Sequence, residues 1–322
     1  MKAQHRQTWR PGVPRWALLL ACLSGLFGVS GCMESGEATA APSSFESRTL
    51  SVGKVRREYA LYTPERLPPA GERSLVLMFH GGEGSPDKIA RQTGFNEVAD
   101  AQGFLVAYPR SIEHWNDGRA TTRAFGDDVG FARALIDALV ADAGVDPRRV
   151  YATGASNGGM MTFRLACEAN DAIAAFAPVI ASFPVPYVEQ CRPRKAVDIL
   201  MINGRSDRLI RWGGGRIPKG RRAGVGGEVI PVPETVDWWR RHNGCASPAR
   251  EDLDDRVDDG TTVVRERSAA CERGGSVIFF AIEGGGHTWP GSPVPANRLA
   301  GTISQELSAS QVIWQFFSDK QL

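Results

Sequence analysis

Tyr151-Ala152-Thr153-Gly154-Ala155-Ser156-Asn157-Gly158-Gly159-Met160-Met161 is the stretch on which the reading of this chain turns. It contains one G-x-S-x-G, Gly154 to Gly158, with Ser156 at its centre. An apolar run, Val150 to Ala152, precedes the motif, and a helix-like segment, Met160 to Ala169, follows it. That context predicts a nucleophile elbow, a sharp strand-to-helix turn that lifts a serine hydroxyl above the edge of a sheet. Glycines are needed there because the turn is strained and the helix must pass close to the strand. So short a pattern carries little alone. It gains weight only if the rest of the chain supplies Ser156 with a base, an acid and an oxyanion hole.

On either side of the elbow the chain alternates buried strands with amphipathic helices. Phe45 to Tyr62 reads as two strands turning near Gly53, and Pro64 ends the second. Ser74 to Phe79 and Phe104 to Tyr108 are continuous apolar runs, as in strands buried on both faces of a parallel sheet. Between them, Lys88 to Gly103 has helical spacing and is expected to form one helix. Asp127 to Gly144 carries an inner stripe of Val129, Ala132, Leu135, Ile136, Leu139 and Val140. Downstream, strands are expected at Ala172–Ala181, Val197–Ile202, Val263–Arg267 and Val277–Ile282. Helices are expected at Glu234–Asn243 and Ser304–Lys320, and Arg208–Pro233 reads as an excursion over the sheet edge. The pattern implies a mostly parallel central sheet with helices on both faces, in a single domain over residues 45–322.

A serine nucleophile needs a base, and histidine serves near neutral pH. Of the five histidines, His5 lies in the N-terminal leader and His242 in an expected helix. His80 ends a strand, and His114 sits in a loop well upstream. His287 follows a strand and three glycines, on backbone free to deliver the ring over a sheet edge, and it comes after the serine. His287 is therefore the expected base. Asp207, just beyond a buried strand and between Ser156 and His287 in chain order, is the expected acid, with Asp237 as fallback. Asn157 N–H and a glycine N–H of His80-Gly81-Gly82 would form the oxyanion hole, with Gly82 assigned and Gly81 as alternate. No metal or organic cofactor is required.

The chain has 322 residues, 42% of them hydrophobic, with a formal net charge of +2. Its first 31 residues hold four basic groups and no acid, so the remainder is slightly acidic and nothing favours nucleic acid as a partner. Residues 1–31 read as a signal peptide, basic to Arg15 and then apolar, ending in Val29-Ser30-Gly31-Cys32. That ending resembles the lipobox of bacterial lipoproteins, which implies cleavage before Cys32 and lipidation of its thiol. Residues 32–44 are small and polar and would tether the domain, so the lipid anchor is the one membrane contact expected. Cys167, Cys191, Cys245 and Cys271 then remain for an oxidising compartment. Four cysteines allow three pairings. The preferred pairs, Cys167–Cys191 and Cys245–Cys271, each close a moderate loop of neighbouring elements.

Several pieces resemble secreted esterases of the polyhydroxybutyrate-depolymerase and feruloyl-esterase type, which include lipoproteins. They are Phe79–Gly82, Trp115–Arg119, Asp127–Val129, Gly154–Met160, Asn203–Asp207, Asn243–Cys245 and Gly286–Gly291, in family order. The resemblance implies an α/β-hydrolase fold and hydrolysis of carboxylic esters, small or polymeric, by Ser156, Asp207 and His287. It does not separate hydroxyalkanoate esters from feruloyl or acetyl esters of polysaccharides, and it is silent on oligomeric state. A peptidase or acyltransferase would use the same triad, and an idle surface-binding protein could use the same scaffold. Trp115 and Trp289 are candidates to stack on substrate. The basic residues Arg205, Arg208, Arg211, Arg216, Lys219, Arg221 and Arg222 are a candidate positive rim for a substrate carboxylate.

Overall fold

The structure, a computed structural model, describes residues 43–219 and 225–322. The leader, the lipobox with Cys32, and Arg221 and Arg222 lie outside the described residues. The described residues open with the antiparallel pair β1 (Ser44–Val52) and β2 (Val55–Thr63). β3 (Arg73–Phe79), α1 (Pro86–Thr93), α2 (Phe95–Gln102) and β4 (Leu105–Pro109) follow. Next come α3 (Asp128–Ala143), β5 (Val145–Ala155), α4 (Asn157–Glu168), β6 (Ala175–Val179), the single turn α5 (Val185–Val188) and β7 (Asp198–Gly204). A small hairpin, β8 (Gly215–Arg216) and β9 (Glu228–Val229), precedes α6 (Val232–Asn243). β10 (Ala249–Asp252), β11 (Thr262–Ser268), β12 (Val277–Glu283) and α7 (Ala309–Ser318) complete the order.

Ten strands form one sheet in the order β1-β2-β4-β3-β5-β6-β7-β12-β11-β10. Its centre, β4 to β12, is parallel, and antiparallel strands close both edges. Side chains alternate across each strand, so β3 feeds two cores. Leu75, Leu77 and Phe79 join one core beneath α3, α4 and α6, with Leu135, Phe163 and Trp239. Val76 and Met78 join the other beneath α1, α2 and α7, with Ile89, Phe95 and Ile313. Each such side chain contributes about 1.5–3 kcal/mol by leaving water. Because the central strands are parallel, the loops after β3, β5, β7 and β12 all emerge at one edge. Those loops carry Gly82, Ser156, Asp207 and His287.

Some boundaries differ from the expectations. Residues 88–103 are not one helix, because Gly94 takes φ 58° and its N–H turns back to Ala90, ending α1 before α2 begins. The C-terminal helix starts at Ala309 rather than Ser304, where the Ser308 hydroxyl caps it through the Gln311 N–H. The strand expected at 172–181 is confined to β6. Ser43 and Ser44 are not tether: Ser44 begins β1, and the Ser43 hydroxyl donates to Asp100 at 3.0 Å.

Candidate active site

Ser156 sits between β5 and α4 at φ 57° and ψ −116°, a region that costs a non-glycine residue about 1–3 kcal/mol. The strain is held from both sides. Ser156 N–H donates to Val179 O at 3.0 Å, and its carbonyl accepts from Met160 N–H at 2.8 Å. A Cβ on Gly154 would lie 2.7 Å from the Phe79 carbonyl oxygen, and one on Gly158 would collide with the same oxygen. Only glycine lets α4 lie this close to β3. Ser156 is left half-buried in the wall of a cavity.

Asp207 and His287 are brought together by the loops after β7 and β12. Asp207 is 5% exposed, and its Oδ1 accepts from the N–H groups of Leu209 at 2.8 Å and Ile210 at 2.9 Å. Those bonds fix the carboxylate so that Oδ2 meets His287 Nδ1 at 2.7 Å. With Nδ1 so engaged, the free nitrogen of the ring is Nε2, and His287 lines the same cavity as Ser156. The His287 backbone is fixed where its N–H donates to Ala300 O at 2.6 Å. Asp237, the fallback acid, instead pairs with Arg240 at 3.1 Å on α6, outside the cavity.

Asn157 is the first residue of α4, so its backbone N–H has no partner within the helix and stands at the positive end of the helix dipole. Its side chain is locked. Nδ2 donates to Asp117 Oδ2 at 2.6 Å, and Oδ1 accepts from Trp115 N–H at 3.1 Å. Asp117 is wholly buried and pairs with Arg119 at 2.8 Å, while Thr122 Oγ1 donates to it at 2.8 Å. Arg119 in turn donates to Gly226 O at 2.5 Å. Asp128 accepts from Asn116 N–H at 2.7 Å and pairs with Arg57 at 2.7 Å, pinning the loop from the other side. Asp117 was not singled out among the sequence candidates. Its signal, Trp115-Asn116-Asp117-Gly118-Arg119, was visible, but its contact with Asn157 spans forty residues of chain.

Gly81 and Gly82 also line the cavity. The loop that carries them is shaped by His80, which is 2% exposed. His80 Nε2 accepts from Ser111 N–H at 3.3 Å, so Nδ1 holds the proton and donates to Gly81 O at 2.8 Å. Burial lowers the His80 pKa to about 4, so the ring is neutral at neutral pH.

Both tryptophan assignments are corrected. Trp115 is fully buried, packs edge-on to Phe79 at 5.1 Å and donates from Nε1 to His80 O at 2.8 Å. Trp289 forms part of the cavity wall, yet none of its surface is exposed and its Nε1 donates to Ser310 Oγ at 3.1 Å. Neither indole offers a face to a ligand. They hold the loops.

The cavity measures about 660 Å³. Among the described residues, none of the basic residues from Arg205 to Lys219 lines it, although Ile217 and Pro218 between Arg216 and Lys219 do. Arg205 is turned away, paired with Glu283 at 2.7 Å and stacked over Trp212 at 4.3 Å. The cations that do line the cavity are Lys88, Arg91 and Arg119. His114, set aside in the sequence as an upstream loop residue, lies there too, its ring against Gly82. Away from the cavity, disulfides join Cys167 to Cys191 and Cys245 to Cys271.

Acetyl xylan esterase from Aspergillus awamori superposes with a TM-score of 0.57, covering 85% of this chain and 99% of that one at 16% identity. A thermostable esterase superposes at 0.54 over 86% of this chain and 63% of its own, also at 16% identity. The fold is thus the α/β-hydrolase fold. Residues 57–212 match the family model described as Esterase PHB depolymerase. NocK of Nocardia uniformis subsp. tsuyamanensis, an inferred esterase, is 34% identical over 84% of this chain and 81% of its own. The chain belongs to this esterase family and is a carboxylic-ester hydrolase. Feruloyl esterase B of Piromyces equi is 29% identical over 66% of this chain and 39% of its own length. Poly(3-hydroxybutyrate) depolymerase of Ralstonia pickettii is 28% identical over 49% of this chain and 37% of its own. The chain therefore spans under half the length of these two enzymes.

Proposed function

We propose that this chain is an extracytoplasmic serine esterase in which Ser156, His287 and Asp207 act as a catalytic triad. Ser156 Oγ attacks the ester carbonyl while His287 Nε2 takes its proton, and Asp207 stabilises the resulting imidazolium through Nδ1. The oxyanion accepts hydrogen bonds from the N–H groups of Asn157 and Gly82, each worth about 3 kcal/mol in the transition state. His287 then returns the proton to the departing alcohol, leaving an acyl-enzyme. Water, deprotonated by His287, releases the acid. The observation that carries this reading is the 2.7 Å His287–Asp207 contact at a cavity whose wall includes a serine on a strained elbow.

The substrates proposed are hydroxyalkanoate oligomers or feruloyl and acetyl esters of polysaccharides, the classes named for the relatives. The two disulfides support an oxidising, extracytoplasmic setting. Residues 43–322 would then be the catalytic domain behind a cleaved leader, a lipidated Cys32 and a short tether. A short-chain aryl ester assayed with wild type and Ser156→Ala tests the chemistry. Ser156→Ala should lower kcat by about 10⁴-fold or more with the fold intact. Equal rates would remove Ser156 as nucleophile.

A further inference from the structure

α1 presents Lys88 and Arg91 to the cavity that holds Ser156 and His287. They are three residues apart, so they lie on one face of the helix, and both are exposed. Neither makes an ion pair among the described residues. The third lining cation, Arg119, is neutralised by Asp117 at 2.8 Å. Among the described lining residues Glu83 supplies the one carboxylate. His114 lines the same cavity. The His114 ring would lie 3.6 Å from a Cβ on Gly82, and both Lys88 and His114 bear on the protonation of His80. His114 Nδ1 is buried with no hydrogen-bond partner among the described residues. A concave wall with two unpaired cations concentrates anions.

We propose that Lys88 and Arg91 form an anion subsite of the catalytic cavity, so that the favoured substrates are esters carrying a carboxylate in their acyl or alcohol part. The inference rests on the esterase reading of this cavity. Its chemical sense is direct. Each cut in a polyester of hydroxy acids frees one carboxylate, so soluble oligomers of that kind are anions with an ester nearby. A carboxylate held by Lys88 and Arg91 would place such an oligomer with its chain end towards α1 and its ester towards Ser156.

The test compares matched esters that differ by one charge. On the acyl side, 4-nitrophenyl hemiglutarate is set against 4-nitrophenyl valerate. On the alcohol side, 3-butyryloxybutyrate is set against its methyl ester. The readout is the anionic-to-neutral ratio of kcat/KM, in which losses of folded or active protein cancel. Lys88→Gln/Arg91→Gln should lower that ratio by about fivefold to tenfold, and Lys88→Glu/Arg91→Glu by more. Lys88→Arg/Arg91→Lys should restore it. Raising ionic strength should lower it in wild type and not in the Gln pair. The pair in which the ratio falls shows which side carries the charge. A ratio unchanged by charge reversal on both sides would overturn the subsite while leaving the esterase intact. Failure of wild type to cleave the neutral esters would instead sink the esterase reading itself.

Discussion

His80 illustrates how a titratable side chain can serve the site without touching substrate. Its folded-state pKa falls from 6.5 to about 4, mainly through burial. Below pH 6.5 the unfolded chain binds a proton that the folded ring refuses until about pH 4, so stability falls as pH drops through that window. The shift corresponds to about 3 kcal/mol. Urea unfolding at pH 7.5 and 4.5 should show wild type losing about 2–3 kcal/mol more than His80→Asn. Equal losses in the two proteins would contradict the buried neutral ring. At this scale the sequence was most informative where chemistry and strand ends coincide. Ser156, Asp207 and His287 each follow a buried strand, and each has a residue type suited to one step. Trp115 and Trp289 misled because loop tryptophans read alike whether their rings face a cavity or a core. Burial is settled by partners from distant elements, here Phe79 for Trp115 and Ser310 for Trp289.

The loop from Trp115 to Arg119 works as a brace for the N-terminus of α4. Asp117 joins Asn157 to Arg119, and that ion pair is buried, so removing one partner strands the other. Asp117→Ala should therefore cost about 3–5 kcal/mol in chemical unfolding. Asp117→Asn keeps the shape and one acceptor. It should leave the fold but lower kcat for aryl esters about tenfold, because the Asn157 N–H loses its fixed position. Wild-type kcat in Asp117→Asn would show that the brace does not act on the site. Strands of the parallel centre were legible as apolar runs because both faces are covered. Gly94 was passed over because the apolar spacing continues across it. Only its left-handed φ, which the spacing does not report, divides the helix into α1 and α2. β10 escaped notice since all four of its residues are exposed and carry no periodic signal.

On the scale of the molecule, parallel strands deliver four loops to one sheet edge, and the two disulfides fasten segments away from it. Cys167–Cys191 ties the end of α4 to the loop beyond α5, and Cys245–Cys271 ties the end of α6 to the turn between β11 and β12. Replacing either pair with serine should lower unfolding free energy by about 2–4 kcal/mol. A change below about 0.5 kcal/mol would mean that the bridge does not constrain the unfolded chain. The positive rim was the part of the site least legible at this scale. Charge along residues 203–222 does not say which of its side chains reach the cavity: Ile217 and Pro218 line it, while the exposed cations on its wall are Lys88 and Arg91 of α1. The measurement that tests the central claim most directly is covalent labelling by a fluorophosphonate ester, with the adduct located by peptide mass spectrometry. A single adduct on Ser156, lost in Ser156→Ala and slowed in His287→Ala, is the expected result. Labelling at another residue, or undiminished labelling of Ser156→Ala, would contradict it.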